Sequence, residues 1–102
     1  MNLLHVDVTE RDIEDGIPGD ACNCPIQGAI RRALMLRGHI DADVHFLGTV
    51  CLYRPTTGSG HTVVHVPLEA CRWMARFDDG LYVEPFRFTL DLDDIASGWQ
   101  FI

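Results

Sequence analysis

Residues 16 to 25 read Gly-Ile-Pro-Gly-Asp-Ala-Cys-Asn-Cys-Pro, and no helix or strand can run through them. Gly16 and the Pro18-Gly19 pair each break a regular element, and Pro25 lacks the amide N–H that a helix interior needs. Pro25 suits the first position of a helix, where that N–H would be unpaired anyway. The stretch therefore predicts a tight loop that launches a helix. Ile26, Ala29, Ile30, Ala33 and Leu34 recur at the 3.6-residue period, with Gln27, Arg31 and Arg32 opposite, and Arg37-Gly38-His39 ends the pattern.

The segments on either side follow from their own periods. Leu4, Val6 and Val8 alternate with His5, Asp7 and Thr9, which predicts a half-buried first strand. Thr9 is a natural N-cap for a short acidic helix over Glu10 to Asp15 that Gly16 stops. After the main helix, residues 44 to 53 are expected to run as one strand, with Val44, Phe46, Val50 and Leu52 on one face and His45, Leu47, Thr49, Cys51 and Tyr53 on the other. Pro55 to Gly60 reads as a hairpin loop to a strand in which Thr62, Val64 and Val66 alternate with His61, Val63 and His65. Pro67 opens another helix with Ala70, Trp73, Met74 and Phe77 on one stripe, closed by Asp78-Asp79-Gly80. Phe86, Phe88, Leu90 and Leu92 then alternate with Arg87, Thr89, Asp91 and Asp93 as the last strand. The order β-α-α-β-β-α-β predicts a single α+β domain spanning residues 1–102, a mainly antiparallel sheet of about four strands with helices on one face. A chain of 102 residues, 47% of them apolar, can build one core without disulfides.

Charge carries the functional reading. Fifteen acids stand against eight basic residues for a formal net charge of -7, and all eight are Arg. A GC-rich or salt-adapted source accounts for the missing Lys as a matter of composition. The negative field repels nucleic acid and anionic membranes and favours basic protein partners. No signal peptide or membrane-length apolar run is present, so a cytoplasmic setting with reduced thiols is expected. The acids fall in two blocks. Asp7, Glu10, Asp12, Glu14, Asp15 and Asp20 have only Arg11 among them, and Asp78, Asp79, Glu84, Asp91, Asp93 and Asp94 have only Arg87. If the first and last strands are neighbours, the blocks merge into a face that imitates a phosphate backbone. The ordinary explanation for such a face is solubility.

Sulfur and imidazole invite other chemistry. Cys22-x-Cys24 with Cys51, Cys71 and five His residues has the ligand types of a zinc site but lacks a second closely spaced pair. Cys24, just ahead of the helix, is the one candidate nucleophile, since a helix N-terminus lowers a thiol pKa. His5, His45, His61 and His65 all take the polar phase of their strands and are expected on the sheet face away from the helices. Gly58-x-Gly60 sits in a hairpin, not in a phosphate loop. Asp91-x-Asp93-Asp94 lacks the glycine and terminal Glu of a calcium loop. No cofactor, metal or catalytic residue is assigned on these grounds.

The G-x-x-G-D-x-C-x-C-P segment, together with Val83-Glu84-Pro85-Phe86, resembles small proteins of phages and GC-rich bacteria. In size and acidity the chain is also similar to anti-CRISPR proteins that act as DNA mimics. The resemblance implies a mobile-element origin and a non-enzymatic inhibitor of a basic nucleic-acid-handling protein, with the type I CRISPR surveillance complex (Cascade) as the partner. The contact residues would be Asp7, Glu10, Asp12, Glu14, Asp15, Asp20, Asp78, Asp79, Asp91, Asp93 and Asp94. Two alternatives stand beside it: a small zinc or thiol protein built on Cys22 and Cys24, and an oligomeric module using the apolar tail Trp99, Phe101 and Ile102.

Overall fold

A computed structural model of the chain describes residues 2–20, 23–40, 42–54 and 61–96. Cys22, the 55–60 loop with Gly58-x-Gly60, and the tail with Trp99, Phe101 and Ile102 lie outside the described residues.

The chain runs β1 (Leu3–Val8), α1 (Glu10–Asp15), α2 (Pro25–Leu36), β2 (Asp43–Phe46), β3 (Val50–Arg54), β4 (Thr62–His65), α3 (Leu68–Asp78) and β5 (Phe86–Asp91). It is an α+β domain; among the described residues every strand pairing is antiparallel and the three helices pack on one face. β1 pairs with β5, from Leu3 opposite Asp91 to Val8 opposite Phe86. β2, β3 and β4 form a second sheet in that order. A bridge between Val64 and Ile95, with the Ala96 N–H donating to the Val63 carbonyl at 2.9 Å, ties the chain after β5 to β4.

The first strand, the acidic helix, the helix from Pro25 and the helix after Pro67 all form where their periods place them. One expectation is corrected. The run from Val44 to Tyr53 is two strands, because Gly48 adopts φ 93° and the Leu47 N–H closes a turn onto the Val50 carbonyl at 2.9 Å. A positive φ is open to glycine at little cost, so the chain reverses there. The turn also reverses the phase. Val44 lies opposite Tyr53 and Phe46 opposite Cys51, so Cys51 and Tyr53 join Val44 in the main core. Val50 and Leu52 instead form a second cluster with Val63 and Ala96.

α2 is the keystone of the packing. Ile26, Ile30 and Leu34 are fully buried, and the helix packs on β1 and on β2. Burying one such side chain contributes roughly 1.5–3 kcal/mol. The helix also covers strand edges that would otherwise be open. Gln27 Oε1 accepts from the Phe46 N–H of β2 at 2.9 Å, and Arg32 Nη2 donates to the Asp7 carbonyl of β1 at 2.8 Å. On α3, Trp73 stacks between Phe77 and Phe86 at 5.8 and 5.0 Å. Its Nε1–H donates to the Glu84 carbonyl at 2.8 Å, which fastens the 81–85 connection to the helix.

Candidate functional site

The antiparallel β1–β5 pair decides where the acids go. β1 ends at Val8 beside Phe86, the start of β5, so α1 and the 16–20 loop emerge next to the residues that precede β5. The Gly19 N–H donates to Asp78 Oδ1 at 2.9 Å, joining that loop to the end of α3. Glu10 and Glu14 face Phe77, Leu81, Tyr82 and Pro85 across a groove of about 280 Å³. One end of the molecule thus gathers Glu10, Glu14, Asp15, Asp20, Asp78 and Asp79. Asp91, Asp93 and Asp94 follow the far end of β5, beside Leu3. Five residue steps of strand, about 17 Å, separate the two groups. The first and last strands are neighbours as the merging of the blocks required, but their opposed directions divide the second block between the two ends.

Two of the acids are paired with arginines of the same chain, Asp12 partly buried and Asp7 on the surface. Asp12 completes a capping box with Thr9, accepting from the Thr9 N–H at 2.8 Å. It also accepts from both terminal guanidinium nitrogens of Arg32, Nη1 at 2.9 Å and Nη2 at 2.7 Å. Burial pushes the Asp12 carboxyl up, but the bonds from Arg32 and Thr9 outweigh it and hold the group below its ordinary value. Asp7 receives Arg87 Nε at 2.6 Å and Nη2 at 3.2 Å, and that bond lowers its pKa. The other acids make local contacts, with Asp15, Asp93 and Asp94 exposed and Asp20 and Asp91 half-buried. Asp20 Oδ2 accepts from Asn23 Nδ2 at 2.9 Å, and Asp15 lies 3.6 Å from Arg11 with both side chains well exposed. Asp91 accepts from the Asp93 N–H at 3.0 Å, Asp93 from the Asn2 N–H at 3.1 Å, and Asp94 meets His65 Nδ1 at 3.2 Å.

Of the described thiols, Cys24 and Cys51 are core groups and Cys71 is half-buried. Cys24 caps α2 but is buried, and its Sγ lies 3.6 Å from Met74 Sδ. Desolvation raises its pKa, so the expected activation by the helix N-terminus is overturned: a thiolate without water costs more than the helix dipole returns. Burial pushes the Cys51 thiol up to about 12. Cys71 donates to the Gly48 carbonyl at 3.3 Å, and all three are free cysteines. Among the described residues no group of three or more His, Cys, Asp or Glu is arranged to hold a metal ion.

Sequence reasoning missed two features. His45 and His61 converge on Asp43, with Nε2 atoms 3.0 and 3.2 Å from its two carboxylate oxygens. Asp43 and His45 share a strand face two residues apart, a signal available in the sequence, whereas the position of His61 across β3 depends on the sheet order. The exposed Leu81 and Tyr82 beside α1 are the second, and they carry no periodic signal. No helix among the described residues is long and apolar enough to cross a membrane. No protein-family model, curated protein or solved structure matches the chain.

Proposed function

We propose that the protein is a non-enzymatic, cytoplasmic binding protein whose acidic end occupies a basic surface of a nucleic-acid-handling protein in place of DNA. The observation that carries this reading is the convergence of Glu10, Glu14, Asp15, Asp20, Asp78 and Asp79 on one end through the Gly19–Asp78 bond and the α1–α3 groove. These carboxylates act as phosphate surrogates, and the exposed Leu81 and Tyr82 add apolar contact at the rim. Asp7 and Asp12, already paired with Arg87 and Arg32, hold the frame and do not touch the partner. Asp91, Asp93 and Asp94 form a separate, smaller patch. The resemblance to DNA-mimic anti-CRISPR proteins narrows the partner to the type I surveillance complex of an invaded cell.

The test is competition with target DNA for that complex. Reversing Glu10, Glu14 and Asp79 to Lys is expected to weaken binding by about a hundredfold, equivalent to about 2.7 kcal/mol. Raising salt from 50 to 200 mM should weaken the unaltered protein steeply, as it does the DNA it replaces. Binding that ignores both the reversals and salt sinks the proposal.

A further inference from the structure

Cys71, Met74, Ala75 and Asp78 lie on α3, spaced three and four residues apart so that they share one side of the helix. Together with Cys24 at the start of α2, Asp20 in the loop before it and Phe46 at the end of β2, they line a cavity of about 390 Å³. That volume falls within the roughly 300–1,000 Å³ of small-molecule sites. Gly19 and Gly48 also border the cavity, and no side chain intrudes there: a Cβ built at either would still meet nothing within 4 Å.

The floor is apolar and soft. Cys24 and Met74 are buried, with Sγ 3.6 Å from Sδ, and Phe46 packs on the same core. A thioether is polarizable and meets aromatic rings favourably. The mouth is acidic. Asp78 is exposed, and its Oδ1 accepts from the Gly19 N–H at 2.9 Å. Asp20 is half-buried, and its Oδ2 accepts from Asn23 Nδ2 at 2.9 Å. No arginine or histidine lines the cavity among the described residues, so these two carboxylates set its charge. Desolvation is the main cause that raises the Cys24 pKa, and the Asp78 charge adds to it, so the field of the mouth reaches the floor.

We infer that this cavity binds a small organic cation, a ring-sized apolar body carrying an ammonium or amidinium group, with the body against Cys24, Met74 and Phe46 and the charge at Asp20 and Asp78. An anion of the same shape would meet two carboxylates and no opposite charge. A neutral molecule would cover the floor and gain nothing from the mouth. A second copy of the chain is repelled, because it would bring another net charge of -7 against the acidic end. The inference is independent of competition with DNA, whose test reverses Glu10, Glu14 and Asp79, none of which lines this cavity.

Phenethylamine, phenethyl alcohol and hydrocinnamate share one shape and differ in charge, and titrating each into the full chain while following the backbone amides by NMR tests the inference. The amine is expected to shift the Gly48, Thr49 and Met74 amides and to bind about tenfold more tightly than the alcohol, with the acid weakest. Asp78→Asn keeps an oxygen for the Gly19 N–H and should weaken the amine about tenfold while leaving the alcohol unchanged. Ala75→Phe, a change at an exposed position on the cavity wall, should block both, and the amide spectrum itself reports that each variant is folded. Cys71, half-buried on the same wall, should react more slowly with iodoacetamide when the amine is bound. The inference is overturned if the amine does not bind at millimolar concentration, or if the alcohol or the acid binds as well as the amine. It is equally overturned if the shifted amides lie away from the cavity, if Cys71 reacts as fast as before, or if Asp78→Asn leaves the amine's affinity unchanged.

Discussion

Gly16 and Gly28 look alike in the sequence, and their surroundings make them opposites. A Cβ at Gly16 would lie 3.0 Å from Phe77 Cζ, 3.0 Å from Pro25 Cδ and 3.1 Å from the Asp12 carbonyl, so the loop passes through a gap that only hydrogen fills. A Cβ at Gly28 would meet nothing within 4 Å, and the residue sits inside α2. Gly16→Ala is therefore expected to destabilise the fold by about 1–3 kcal/mol through overpacking against backbone and ring. Gly28→Ala should stabilise it by roughly 0.5–1 kcal/mol, because alanine loses less backbone entropy in a helix. Urea unfolding midpoints of the two variants should move in opposite directions. Equal shifts would mean that the close approach at Gly16 does not constrain the loop.

At the scale of elements, α1 is six residues with none of them buried, too short to hold itself together. Its anchors are the Thr9–Asp12 box and Arg32, which reaches from α2 to both Asp12 and the Asp7 carbonyl. Arg32→Ala is expected to cost about 1–2 kcal/mol, the low end for charge-assisted hydrogen bonds because Arg32 is partly solvated. The loss should be local: faster hydrogen exchange over Glu10–Asp15, with the β3 and β4 amides little changed. A uniform increase across the sheet would show that α1 is not separately held. The consequence for the acidic end is direct, since Glu10 and Glu14 are aimed by the same anchor.

For the whole molecule, pH acts through the paired carboxylates. Asp7, Asp12 and Asp43 all have pKa values lowered from 3.8, by Arg87, by Arg32 with Thr9, and by His61 with His45. A carboxyl depressed in the folded state contributes stability that is fully present above its unfolded pKa and is lost as pH falls through the folded one. Through these groups stability is expected to hold from pH 7 down to about 5 and to decline below about 4. Asp12→Asn should remove part of that decline, and unfolding midpoints followed against pH for both proteins measure it. An acid profile identical in the two would show that Asp12 gains nothing from Arg32.

Local order was legible in the chain because it rests on local chemistry. The breakers from Gly16 to Pro25, the period of Ile26 to Leu34 and the alternation in β1 and β5 each depend on residues within a few positions of one another. The reversal at Gly48 went unread, because a lone glycine between two apolar runs is equally compatible with a continuous strand until tertiary contacts choose. The acidic blocks were visible as composition, but their arrangement was not. Only the antiparallel register of β1 on β5 sends Asp91, Asp93 and Asp94 to the far end, and only the meeting of α1, the 16–20 loop and α3 gathers the rest. Cys24 shows the same division. Its place before a helix is written in the sequence, while its burial against Met74, which opposes a thiolate, is a property of the packed core. Charge, period and breakers set the elements, and long-range pairing decided which charges stay exposed together and which are paired with arginine, because Coulomb and desolvation energies depend on distances that adjacency in the chain does not specify.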